Sequence, residues 1–442
     1  MEWSRLCSDA RLRQSTTTSQ AEDHRTQFER DYDRVIFNSA FRRLQDKTQV
    51  FPLESHDFIR TRLTHSCEVA AIGRSLANSV ARKLAGKVPE KFSGDFGTIV
   101  STACLLHDIG NPPFGHSGEE AIGSWFKKNA ALFNLDEQER ADLENFEGNA
   151  FAFRLVTRLQ SMGSEYGINL TVGTLGCLLK YPCSSTEVLD GDDAPKSRKK
   201  FGYFKADTAA FDKVLEATGM SMGKRHPLTC IMEAADDVAY SAVDIEDAIK
   251  KRVIDIRDVQ AHIKARVADD EKALALVDKY LLNRPSYVDE EHHYQHFKTM
   301  AVGHMVASCV DAFVQNYEAL LAGDFSKSLT KAMSLSKLCK SLQGFAVEHV
   351  YPNRETVIIE RRGRSVIHGL MDVLWEELTS ERRIGEPSKL LAKLLSPARA
   401  NPGDADFAVG DDYRLAIRAA DYVAGMTDTF AVNLHSSLLG VA

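Results

Sequence analysis

The chain has 442 residues, a formal net charge of −7, 26% charged and 44% hydrophobic residues. That is the balance of a globular protein with room for a large core. It argues against a generally basic nucleic-acid binder, though not against a local cationic pocket for a small anion.

Taken in chain order, the opening MEWSRLCSDARLR lacks the apolar run of a secretory signal. The polar RQSTTTSQAEDHR that follows predicts little order without a partner. From His65, the series Val69, Ile72, Leu76, Val80 draws one apolar stripe of a helix. The run TIVSTACLLHD predicts a second helix, stopped by Gly110-Asn111-Pro112-Pro113. Ser117 and Glu120 have the spacing of a capping box and predict the start of a third. Residues 184–206 are polar with a basic cluster, the composition of a mobile surface loop or of a lid over an anionic ligand. Further helical patterns cover 208–218, 228–250, 257–281, 292–322, 354–380 and 411–438. Strand signals are few and short, so the fold class is all-α. No stretch approaches the roughly 18 uninterrupted apolar residues of a membrane span. The eight cysteines are scattered without a C-x-x-C pair, the usage of a reducing cytoplasm rather than of a thiolate metal site.

Two His-Asp dipeptides occur. His56-Asp57 sits in a polar, unpatterned segment, whereas His107-Asp108 ends an apolar helix and so stands at a partly buried edge. A buried carboxylate needs a partner or a metal. His65 is a candidate partner because it shares the apolar face of its helix; alone it would read as a core histidine bonded to a carbonyl. In EAADDVAYSAVDIEDAI, Asp236, Tyr240 and Asp244 fall at i, i+4 and i+8, within about 80° on one helix face. Two histidines and two carboxylates from three helices make a mixed N/O set suited to Mn, Fe, Mg, Ni or Zn, with positions left open for water or substrate.

These residues carry a resemblance. The order H…HD…D is that of the HD-domain phosphohydrolases. RTRLTHSCEV (60–69), HDIGNPPFGHSGE (107–119), FEGNAFAFRLV (146–156) and EAADDVAY (233–240) resemble the bacterial deoxyguanosine triphosphate triphosphohydrolases. FERDYDRVIFNSAFRRLQDKTQVF (28–51) and DYVAGMTD (421–428) extend the likeness nearly end to end.

The resemblance implies one all-α unit over 1–442, with an HD core at 60–250 and a C-terminal helical region, 251–442, packed on it. It implies that His65, His107, Asp108 and Asp236 hold a divalent metal, and that Arg62 binds substrate phosphates. His116 matches the family's catalytic histidine and Glu119 the carboxylate that orients it. Gln49 and Val50 match positions beside the deoxyribose, Tyr240 and Asp244 match substrate contacts, and Lys298 falls near a cationic phosphate contact. The implied reaction converts a deoxynucleoside triphosphate, dGTP foremost, to deoxynucleoside and inorganic triphosphate, in a cytoplasmic homo-oligomer, often a hexamer, with no membrane.

Two other readings stand beside this one. Another HD-type nucleotide phosphohydrolase is opposed by the Gln49 and Tyr240 matches. A regulator binding single-stranded nucleic acid is opposed by the intact ligand set and the negative charge, although relatives combine both properties. The chain departs from relatives at Asn111 and Asn145, where some carry histidine, and at Asp237, where animal members carry lysine.

Overall fold

The computed structural model describes residues 1–13, 24–51, 53, 58–160, 167–191, 193–380 and 412–439. His56-Asp57 and the polar stretch 14–23 lie outside them. Among the described residues no sheet forms, only three isolated β-bridges, and the fold is all-α.

The helices that frame the site are numbered here in chain order: α1 (Arg62–Lys83), α2 (Phe96–Leu106), α3 (Gly115–Lys128), α4 (Gly148–Arg154), α5 (Pro227–Lys250), α6 (Ile256–Val267), α7 (Glu290–Gln315), α8 (Ser336–Phe345), α9 (Arg354–Leu378), α10 (Asp412–Ala424) and α11 (Asp428–Leu439). α2, FGTIVSTACLL, carries no charge and is buried along its whole length, as an all-round apolar helix must be. It packs against α1. There Gly73 lets the two helices approach, since a Cβ at that position would lie 2.6 Å from Cys104 Sγ. α5 starts on Pro227 at its first position, with the His226 ring accepting from Leu228 N at 3.0 Å. It crosses α1, α2 and α7.

The expected helix over 257–281 is two. α6 ends at Val267, and Asp270, whose side chain accepts from Ala273 N, caps a new start at Glu271. The pattern over 411–438 likewise breaks after Ala424, at Gly425. α7 alone among the described helices has the length and composition to cross a membrane, but about half of it is buried. Tyr294, Phe297, Met305 and Phe313 face the protein interior, the pattern of a core helix.

The C-terminal helices close over the site. α9 packs on α3, where Trp125 Nε1 donates to Asp372 Oδ1 at 2.7 Å. Arg154 of α4 makes a two-pronged pair with Asp421 of α10, both contacts 2.8 Å, and a third bond to Asp207 at 2.9 Å. Asp428, first residue of α11, accepts from Thr48 N at 3.0 Å and Phe114 N at 2.9 Å. It thereby ties the segment before α1 to the turn before α3.

Candidate active site

α1, the end of α2 and α5 bring His65, His107 and Asp236 together. His65 Nε2 lies 3.2 Å and His107 Nε2 3.5 Å from Asp236 Oδ1. One ligand atom from each of the three lies within 4.8 Å of the others. His107 Nδ1 sits 2.6 Å from the Cys104 carbonyl, which assigns a proton to Nδ1 and turns Nε2 toward the carboxylates. That Nε2 is buried without a hydrogen bond, and so is His65 Nδ1. Burial pulls the His107 basicity down, but Asp108 and Asp236 outweigh it and lift the pKa to about 9. Asp236 itself is held well below the ordinary carboxylate range, its burial penalty overcome by His107 and His65. An orphaned imidazole nitrogen facing a second imidazole and an ionised carboxylate is a donor set that fits a divalent cation.

Asp108 stands at the edge of this group rather than within it. Its Oδ2 is 3.6 Å from His107 Nε2 but only 2.5 Å from Arg62 Nη1, and its Oδ1 accepts from Asn111 Nδ2 at 2.7 Å. Arg62 outweighs the burial that would raise the Asp108 pKa, and the carboxylate stays ionised. Arg62 is itself buried, with its Nε unpartnered and Gln49 Oε1 3.5 Å from Nη1.

The turn GNPPFG carries the chain from the metal group to His116. Phe114 takes a left-handed conformation, φ 64°, followed by Gly115 at φ 60°. For a phenylalanine this conformation is costly, and it is held from outside: Asp428 accepts the Phe114 N–H, and the ring lies so close to Gly363 of α9 that a Cβ there would come within 2.5 Å. α3 therefore begins at Gly115, not at the expected Ser117 cap. The Ser117 hydroxyl makes its contact with the Glu360 carbonyl at 3.5 Å instead.

This start places His116 one turn before Glu119. His116 Nδ1 lies 2.8 Å from Glu119 Oε2, and the other Glu119 oxygen accepts from Gly148 N at 3.0 Å. The imidazole retains 75% of its side-chain exposure, while Glu119 is buried. The hydrogen bond and charge of Glu119 raise the His116 pKa. In return His116, followed by Lys200, outweighs burial and lowers that of Glu119. An exposed imidazole aimed by a buried carboxylate that favours its protonated form is the equipment of a general acid.

The HD domain family matches residues 62–156, a span that opens on Arg62 and contains His65, His107, Asp108, His116 and Glu119. The phosphohydrolase-associated domain matches 331–437, the C-terminal helices. A deoxyguanosinetriphosphate triphosphohydrolase-like protein of Listeria innocua is 35% identical, and one of Synechocystis 36%, each over 100% of both chains. The chain belongs to this family. A deoxyguanosinetriphosphate triphosphohydrolase of Enterobacter is 32% identical over 94% of each chain.

Several positions expected from the family's motifs take places around the same helices. On α5, Asp244 is buried, and its Oδ2 accepts from the Tyr351 hydroxyl at 2.7 Å, while Oδ1 has no partner. Burial pushes the Asp244 pKa up to about 6. Tyr240 is half-buried one turn earlier, and Val50 is buried beside Gln49. Lys298 is placed differently: its ammonium pairs with Glu246 Oε2 at 2.7 Å. Glu246 lies ten residues after Asp236, about 15 Å along the helix axis. The same carboxylate also binds Arg60.

The departures from relatives have structural roles in this member of the family. Asn111 supports Asp108, Asp237 accepts from the Thr330 hydroxyl at 2.6 Å, and Asn145 ends a helix by donating to the Ala141 carbonyl at 3.1 Å.

The structure also adds residues that sequence reading missed. The segment 184–206 is no loose loop: Phe201, Tyr203 and Phe204 are buried, and two of its lysines, Lys196 and Lys200, pair with buried carboxylates. Lys200 Nζ lies 2.7 Å from Glu147 Oε2 and 3.9 Å from Glu119 Oε2. Lys196 lies 3.4 Å from Glu233 Oε1. Lys180 resists the pull of burial through Tyr181, Glu233, Asp236 and Asp237, and its pKa rises above the ordinary lysine value. Only the basic composition of 184–206 hinted at these contacts.

Proposed function

We propose that the chain is a metal-dependent deoxynucleoside triphosphate triphosphohydrolase acting on dGTP. The observation that carries the reading is the buried, unpartnered His107 Nε2 facing His65 and Asp236, with the His116–Glu119 pair delivered next to it by one turn. His65, His107 and Asp236 hold the cation, with Asp108 as a fourth ligand. Two nitrogens and two oxygens suit Mn, Fe, Ni or Zn better than Mg. When bound, the cation supplies Lewis-acid polarisation of a phosphoryl group and eases loss of a proton from water.

The remaining chemistry belongs to the chain. Arg62 exchanges Asp108 for the substrate phosphates, which its fixed fork of donors suits. Water adds to the α-phosphorus, the bond to the 5′-oxygen breaks, and His116 delivers its proton to that oxygen. The proton lost by water restores the imidazolium. Glu119 holds the ring aimed and favours its protonated form before and after that transfer. Gln49 takes the 3′-hydroxyl, Val50 crowds the 2′ position, and Tyr240 packs against the sugar beside Asp244. The lysines of 184–206 supply the cationic wall that a triphosphate requires.

Phosphorus NMR of the earliest products tests the bond broken. Inorganic triphosphate and deoxyguanosine are expected in equal amounts; accumulation of a monophosphate with pyrophosphate overturns the assignment. On the same preparation, Asp236→Ala is expected to lose bound metal and turnover together while staying folded. Undiminished metal content by elemental analysis places the ligand elsewhere.

A further inference from the structure

A second group of metal-ligating side chains lies outside the site just described. α6 carries His262, and the π-helical turn Ala346–Val350 that continues α8 carries Glu348 and His349. One ligand atom from each of the three lies within 4.8 Å of the others. His262 Nδ1 is 3.8 Å and His349 Nε2 4.0 Å from the same oxygen, Glu348 Oε2. Two ligands bonded at about 2.0–2.1 Å to a tetrahedral ion sit about 3.3–3.4 Å apart. The separations here close to that value with shifts of roughly half an ångström, within reach of rotamer adjustment.

Chance proximity of an acid and two histidines on a surface is common, so the surrounding atoms decide. Glu348 Oε1 is engaged by Arg266 Nη2 at 3.0 Å, which turns Oε2 toward the histidines. Arg266 stands one turn after His262 on the same face of α6, so one helix supplies both a ligand and its neighbour's anchor. The His262 side chain is only 10% exposed, and its Nε2 is buried without a hydrogen bond on the side facing Gly344 of α8. Beneath the cluster, Phe345 packs against both imidazoles with ring centroids 5.3 and 4.7 Å away. α6 and α8 pack closely, so the platform is rigid.

We propose that His262 Nδ1, Glu348 Oε2 and His349 Nε2 form a second cation site, selective for a borderline transition ion such as Zn²⁺ or Ni²⁺ over Mg²⁺ or Ca²⁺. Two nitrogens and one oxygen set that preference, and the exposed side leaves room for water to complete the shell. π-helical turns are rare and occur frequently at functional sites. This one ends on Tyr351, whose hydroxyl bonds Asp244. An ion joining the turn to α6 therefore fixes the residue that reaches into the candidate active site, and occupancy is coupled to the order of that side chain.

The full-length protein is stripped with chelator, reloaded with Zn²⁺, and its metal counted by mass spectrometry after gel filtration. The comparison is His349→Gln against parent, in the wild-type chain and in the Asp236→Asn chain. His349 is half-exposed, so this change spares the core. The count is expected to fall by one ion per chain in both backgrounds, and in the Asp236→Asn chain the Zn²⁺-dependent rise in Tm is expected to shrink with it. Arg266→Gln, which removes no ligand but frees Glu348 Oε1, is expected to weaken this ion about 10-fold, the low end for outer-sphere partners. A count unchanged by His349→Gln in either background overturns the proposal, whatever Asp236→Asn does to the first site.

Discussion

Replacing Gly148 by alanine tests how His116, the proposed general acid, is held. The Gly148 backbone lies outside the left-handed region, so alanine is penalised only through contact. Its Cβ would lie 2.5 Å from Glu119 Oε1 and 2.6 Å from Asn111 Oδ1. Against 3.4 Å for ordinary contact, Glu119 must retreat by about 0.9 Å. Both obstructing atoms are ends of side chains, so the fold survives with an overpacking cost of about 1–3 kcal/mol. The catalytic consequence is larger. Glu119 loses its bond from Gly148 N, His116 loses its aim, and Asn111 is pushed off Asp108 at the same time. A misplacement of about 1 Å costs about 10²-fold in rate, so kcat is expected to fall by about that factor with bound metal retained. Steady-state hydrolysis of dGTP, metal content and thermal denaturation on one preparation decide. A variant that turns over like the parent refutes the argument that Glu119 acts by positioning His116.

Two further changes probe the same machinery. His116→Ala is expected to keep metal and nucleotide binding and lose about 10²- to 10⁴-fold in kcat. Because Glu119 raises the His116 pKa, the acid stays protonated to higher pH, and activity falls as pH rises through that pKa. Glu119→Gln therefore moves the alkaline limb of the kcat profile to lower pH, and an unmoved limb assigns it to another group. Tyr351→Phe strips the buried Asp244 of its one donor and is expected to cost about 1–3 kcal/mol by chemical denaturation. Asp244, already at about 6 through burial, rises further. Its charge is then lost at higher pH than in the parent, read as a rise in KM for dGTP on acidification.

What was legible in the chain was whatever lies within one helix or one turn. The apolar run into His107-Asp108, the GNPP stop and the common face of Asp236, Tyr240 and Asp244 all follow from local periodicity, and the structure keeps them. The pairing of Asp108 with Arg62 was not legible, because it joins residues 46 positions apart whose charges looked assigned to other partners. The Lys298 pairing was hidden for the same reason: spacing alone cannot show that Glu246 on α5 meets it. Tyr351 carries no local signal, since its target on α5 lies 107 residues earlier. The capping pattern at Ser117 misled because a tertiary bond from Asp428 fixes Phe114 left-handed and starts the helix sooner.

That same aspartate sets a timetable for the newly made chain. Asp428 reaches back 380 residues to Thr48 and 314 to Phe114, and the Ala424 carbonyl reaches 377 back to Lys47. Contacts so distant in sequence are paid for in loop entropy before they return anything, and they form late. A ribosome that has delivered every metal ligand and both members of the His116–Glu119 pair has still not delivered the clamp that shapes their turn. An unfinished chain can thus fold its inner helices, even take up a cation, and remain inert toward nucleotides until α11 emerges.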